Sequence, residues 1–184
     1  MFPQISKIVS STNTIYQINT VGVVANFEYR PNRDSMIRLL SDPYIDSLLQ
    51  ELDIKVILLG RGSLEFIFQL KPALQKHVDE RRSGPFNELT EALSTVDITI
   101  SPALFGAGVK NKVLEANNAE KLCLASRECA GEYGYDETLT IYFQDGRHLA
   151  QKINSLNVAL KEFGSCSSAM LKLRGEIISL FRGI

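Results

Sequence analysis

Three charged side chains at short spacing behind a glycine turn are the part of this sequence best equipped for chemistry. Phe105-Gly106-Ala107-Gly108 leads into Val109, Lys110, Lys112 and Glu115. A glycine turn that opens a helix presents unpaired backbone N–H groups, and such groups bind anions. Starting the helix near Val109 puts Lys110 and Lys112 in its first turn, with Glu115 three residues after Lys112 on roughly the same face. Lysine is electrically misplaced there, because the helix dipole favours acids at this end. An anion from outside would offset that cost. A lone lysine–glutamate pair is ordinarily a solvated surface pair of little weight; the glycine turn ahead of it shifts the reading to an anion site.

The elements that must position these residues can be read around them. Ile98 to Ile100 is a β-branched run ending near Pro102, Val109 to Ala119 has helical composition, and Leu122 to Ala125 is a second apolar run. The order is strand, glycine loop, helix, strand. Upstream, Val21-Gly22-Val23-Val24-Ala25-Asn26 and Ile54 to Leu59 read as buried strands, and His77-Val78-Asp79 as a short one. Asn32 is placed to N-cap a helix through Met36, Ile37, Leu39 and Leu40, which Pro43 breaks and which resumes to about Leu52. After Gly60-Arg61-Gly62, which fits either a close approach to ligand or a tight strand-to-helix turn, Ser63 caps a helix from Leu64 to Leu70 that Pro72 interrupts. A helix over Asn87 to Leu93 precedes the central unit. Beyond it come a loop from Arg127 to Asp136, a last strand over Leu139 to Phe143, and a helix that starts at Asp145-Gly146-Arg147 and carries Leu149, Ile153 and Leu156. The expectation is an α/β domain with a parallel sheet.

The chain has 184 residues, with 20 Lys and Arg against 21 Asp and Glu, so it fits one compact domain without the charge excess that attracts nucleic acid or membrane. Recognition must therefore come from specific sites. Cys123, Cys129 and Cys166 are odd in number and lack metal-type spacing, which points to a reducing compartment, with Cys123 in the core. His77 and His148 are far apart in sequence, and no metal or other cofactor is expected. The start of the chain lacks the pattern of a secretory signal and no apolar run reaches membrane-spanning length, so the expectation is a cytoplasmic protein, peripheral at a membrane at most.

The segment Phe105 to Ala116 resembles the donor-binding signature in the C-terminal domain of family 4 glycosyltransferases of the GT-B fold, and is similar to a branch in which Gly-Ala-Gly-x-Lys-x-Lys-x-x-Glu replaces a paired-glutamate form. The resemblance extends from about Val21 to Leu180. It implies a single Rossmann-like domain with helices on both faces of the sheet, the C-terminal half of a GT-B fold. It also implies a nucleotide-diphosphate sugar as donor substrate. Gly106, Ala107, Gly108, Val109, Lys110 and Lys112 would then hold the diphosphate, and Glu115 would bond the ribose. Arg30 matches a basic residue that reaches the donor phosphates, and fits an exposed turn residue equally well. Gly84 and Phe86 fall in a segment that lies near the nucleotide base, where the backbone would serve the site and the ring of Phe86 the core.

The implied arrangement has a connector or edge strand over residues 1–19, the nucleotide-sugar-binding domain over 20–165, and an amphipathic helix within 166–184 that packs on its own sheet, a second copy in a homodimer, or a separate subunit. The acceptor-binding half of the family is missing, so an N-terminal acceptor domain or partner subunit is expected to complete a hexosyl transfer. Within the match, Asn117 to Leu122 replaces a small-residue helix end followed by Gly and Pro. Losing that glycine removes an easy left-handed C-cap at a cost of about 1 kcal/mol. These departures leave a second reading open, a noncatalytic remnant used for assembly.

Overall fold

The computed structural model describes residues 7–10, 13–81, 86–103, 111–129 and 139–163. A hairpin of β1 (Lys7–Ser10) and β2 (Asn13–Tyr16) precedes the main sheet. The sheet contains β3 (Thr20–Val24), β4 (Lys55–Leu59), β5 (Val78–Arg81), β6 (Ile98–Ser101), β7 (Cys123–Ser126) and β8 (Thr140–Phe143). Its order is β5-β4-β3-β6-β7-β8, and every pairing is parallel. The helices are α1 (Arg30–Leu40), α2 (Pro43–Glu51), α3 (Ser63–Ile67), α4 (Pro72–Gln75), α5 (Phe86–Ser94), α6 (Asn111–Asn118) and α7 (Gly146–Phe163). The result is the expected Rossmann-like α/β domain.

Alternation along the strands explains why both faces are covered. Val21 and Val23, Val56 and Leu58, and Ile98 and Ile100 share one core with Met36 of α1, Leu48 of α2 and Leu149 of α7. Their neighbours Ile57 and Leu59 pack instead with Leu93 of α5 and with Val96. Cys123 and Ala125 meet Val113 and Ala116 of α6. Strands buried on both faces read as continuous apolar runs, and each fully buried Leu- or Ile-sized side chain contributes roughly 1.5–3 kcal/mol.

Two predicted helix starts are corrected. The N-cap of α1 is Tyr29, not Asn32, and it makes no side-chain capping bond. Asn32 sits inside the first turn because its amide is engaged elsewhere, donating from Nδ2 to the Asn26 carbonyl at 2.8 Å. The cap of α3 is Gly62, at φ 73°, rather than Ser63, and the helix is shorter than expected. Pro43 does not interrupt one helix but begins another, with Asp42 Oδ1 accepting from Tyr44 N at 2.9 Å. Gly60 belongs to the tight-turn reading: a Cβ there would lie 1.9 Å from the Ala25 carbonyl oxygen. Its absence lets the ends of β3 and β4 stay paired beyond the strands, with Ala25 N bonded to Leu59 O at 3.1 Å and Phe27 N to Arg61 O at 2.8 Å.

The end of α6 shows how the missing glycine is absorbed. Lys121 N bonds to Ala116 O and Glu120 N to Asn117 O, both at 2.9 Å, which is the Schellman pattern. The left-handed position that this pattern requires is filled by Glu120, at φ 54°. A residue with a Cβ is strained there. Glu120→Gly should therefore raise stability by about 1 kcal/mol, read as a higher urea midpoint with unchanged slope.

His77, just before β5, is 5% exposed, and among the described residues neither ring nitrogen has a hydrogen-bond partner. Burial pushes its pKa below the usual 6.5, helped by the positive Lys76 and Lys55 and opposed by Asp46 and Asp53. A lowered folded pKa makes this contribution fully present above the unfolded value and lost as pH falls below it towards the folded value. Urea midpoints should thus drop on acidification below about pH 6.5. His77→Leu should blunt that drop and, at neutral pH, hold or raise the midpoint.

Candidate functional site

The sheet order places a topological switch between β3 and β6. The chain leaves β3 towards β4 on one side and leaves β6 towards β7 on the other, so the segments beyond these two strands diverge at their carboxyl ends, the position of the ligand crevice in open α/β sheets. The β3–β6 ladder is short, with Val21 opposite Ile98 and Gly22 opposite Thr99. At its amino end Asp97, 2% exposed, supplies the rest of the join. Its Oδ2 accepts from Asn19 N and Thr20 N at 2.8 Å and from Thr20 Oγ1 at 3.0 Å. The carboxylate lies near Lys121, also 2% exposed, whose ammonium donates to Val96 O at 2.7 Å and to Ser94 O at 3.4 Å. Burial lowers the Lys121 pKa, and the charge of Asp97 works the other way.

At the carboxyl end, the crevice is bordered by the start of α1, by Pro102 and Ala103 beyond β6, and by the start of α6. Val113 and Ala116 anchor α6 with no exposed surface. Lys112 and Glu115 each precede one of them, so both lie on one flank of the helix. Lys112 Nζ donates to Pro102 O at 3.3 Å and to Asn32 Oδ1 at 3.4 Å, bridging β6, α6 and α1. Glu115 is half-buried. Its burial raises the carboxyl pKa above the usual 4.5, while the positive charge of Lys112 pulls it down. A carboxylate in this setting gains from hydroxyl donors that favour its charged form.

The strand ends beneath the crevice are tied by side chains. Pro102 has no N–H to continue the β6–β7 ladder. Ser126 Oγ takes over, accepting from Ala103 N at 2.9 Å and lying 3.0 Å from Ala103 O as a donor. Cys129 Sγ donates to Ser101 O at 3.2 Å. Cys123 is core, as expected, and burial pushes its thiol up to about 12. Among the described residues no group of three or more His, Cys, Asp or Glu is arranged to hold a metal ion.

Of the residues expected at the site, Lys112 and Glu115 are brought together at the crevice. Arg30 is at its border, at the start of α1, with its side chain 82% exposed and paired with Asp34 at 3.4 Å. Gly106, Ala107, Gly108, Val109 and Lys110 lie outside the described residues, as do Gly84 and the tail helix. Phe86 begins α5, and its ring likewise lies outside what is described. Sequence reasoning missed the Ser126 bonds to Ala103 and the contact between the Asn32 side chain and Lys112. The signal for Ser126 was a hydroxyl at the strand end facing Pro102, where a ladder bond must be replaced.

Among the described residues no helix is long and apolar enough to cross a membrane. No curated protein matches the chain. Solved structures do. A glycosyltransferase from Rickettsia africae superposes with a TM-score of 0.61 at 14% identity, over 89% of this chain and 44% of that one. The catalytic domain of cholesterol-α-glucosyltransferase from Helicobacter pylori gives 0.56 at 15% identity, over 91% and 99%. A mutant of S. aureus TarM in complex with fondaparinux, α-GlcNAc-glycerol and UDP gives 0.50 at 11% identity, over 95% and 38%. At such identities the likeness is one of fold, and this chain spans less than half of the Rickettsia protein. The family model described as glycosyl transferases group 1 matches residues 18–157, well over half of the sequence. With the switch-point crevice and its lysine–glutamate flank, that match shows that the chain belongs to the glycosyl transferases group 1 family.

Proposed function

We propose that this domain binds the nucleotide-diphosphate sugar donor of a retaining glycosyltransferase and works with an acceptor domain or subunit to transfer a hexose-type sugar in glycan or polysaccharide synthesis. The observation that carries the reading is the pairing, on one flank of α6 at the switch point, of an ammonium and a half-buried carboxylate. When the bond between the anomeric carbon and the diphosphate oxygen breaks, negative charge gathers on the leaving group. In this reading Lys112 stabilises it, with Arg30 and the Gly106 to Lys110 segment as further contributors. Glu115 accepts hydroxyl bonds from the ribose. The share of the Rickettsia chain covered supports a missing acceptor half, and UDP in the TarM complex supports a diphosphate nucleotide as ligand.

Calorimetric titration with UDP and GDP tests the proposal. One of them should bind, and Glu115→Ala should weaken it about tenfold, the worth of a hydrogen bond to a charged group. Because the hydroxyls need the ionised carboxylate and burial raises its pKa, affinity should fall on acidification from a point above the ordinary glutamate value of 4.5. Absence of binding by either nucleotide at millimolar concentration would end the proposal.

A further inference from the structure

Asn32 stands where three elements meet. Its backbone is in the first turn of α1, its Nδ2 donates to the carbonyl of Asn26 beyond β3 at 2.8 Å, and its Oδ1 accepts from Lys112 of α6 at 3.4 Å. An amide has one donor end and one acceptor end, so the bond to Asn26 turns the oxygen towards Lys112. Asn26 is itself held, its Oδ1 accepting from Glu28 N at 3.0 Å. The Lys112 contacts to Asn32 Oδ1 and Pro102 O are both long and both to neutral oxygens. A phosphoryl oxygen would make a shorter, charge-assisted bond. The bond to Asn32 thus fixes one direction of the ammonium, across the crevice towards the start of α1.

We infer that Asn32 is a positioning residue for Lys112, an inference that rests on the nucleotide reading for its consequence but not for its geometry. It touches the ligand through the lysine only. An aspartate at the same place would accept the same bond as an anion, pairing the ammonium tightly and repelling a diphosphate.

The test uses Asn32→Ala and Asn32→Asp with two readouts. The first is the rate of Lys112 acetylation by acetic anhydride, followed by mass spectrometry without any nucleotide. Asn32→Asp should slow it several-fold, because a carboxylate added beside the ammonium makes it lose its proton less readily, and Asn32→Ala should speed it. The second is UDP affinity by calorimetry. Asn32→Ala should weaken it about tenfold and Asn32→Asp about a hundredfold, while in a Lys112→Met background Asn32→Ala should cost nothing further. An acetylation rate unchanged in both variants, or an Asn32→Ala loss equally large with and without Lys112, would overturn the inference. Should the parent chain bind neither UDP nor GDP while acetylation responds as described, the positioning stands and the nucleotide reading falls. Should it bind UDP while neither readout responds, the positioning falls alone.

Discussion

Asp97→Ala should destabilise the domain by about 3 kcal/mol or more, the range found when one partner of a buried charged network is removed. One carboxylate oxygen takes three donors, from Asn19 and Thr20. Deleting it leaves those donors without their acceptor and takes the Asp97 charge away from the buried Lys121 ammonium. Asp97→Asn keeps an acceptor but removes the charge, and should cost less. Urea unfolding of the two variants decides this. A loss for Asp97→Ala within about 1 kcal/mol would mean that water or the backbone takes over the role. The effect should reach the site as well, because the β3–β6 ladder has few rungs and Asp97 holds its amino end. Nucleotide affinity should fall along with stability.

Lys112→Met should weaken binding as much as any single substitution at the site. It keeps the length and apolar stem of the side chain and removes only the charge. The hydrogen bonds from Lys112 to Asn32 and Pro102 are long, so the urea midpoint should move less than the affinity does. The ligand, in contrast, is deprived of a cation, and UDP affinity should fall about a hundredfold. Lys112→Arg should not keep the parent affinity, because a planar fork cannot occupy the space of a compact ammonium between Pro102 O and Asn32 Oδ1. Unchanged UDP affinity in Lys112→Met would remove the lysine from the site.

The strands are legible in the sequence because burial on both faces leaves uninterrupted apolar runs, as in Lys55–Leu59 and Ile98–Ser101. The lysine–glutamate spacing on α6 is legible too, since helical periodicity fixes which residues share a flank. What escapes a sequence reading is set by contacts distant along the chain. Asn32 resembles a cap, yet its amide serves Asn26 and Lys112, the latter 80 positions away. Asp97 and Lys121 look like surface charges at the ends of elements, and are both buried. The hairpin Lys7–Ser10 with Asn13–Tyr16 reads in sequence only as a connector or single edge strand, because polar residues interrupt its alternation. The lost glycine at the end of α6 is legible as a cost, and the structure identifies Glu120 as the residue that bears it.

The most direct measurement of the central claim is a titration of the isotopically labelled chain with UDP, followed residue by residue through backbone amide resonances. Saturable shifts should concentrate at Arg30, Asn32, Ala103 and Asn111 to Glu115, at the carboxyl ends of β3 and β6. The amides of Asn19, Thr20 and Asp97, at the opposite end of the same strands, should stay still. Shifts confined to that opposite end, or none with UDP and none with GDP at millimolar concentration, would contradict a nucleotide site at the switch point.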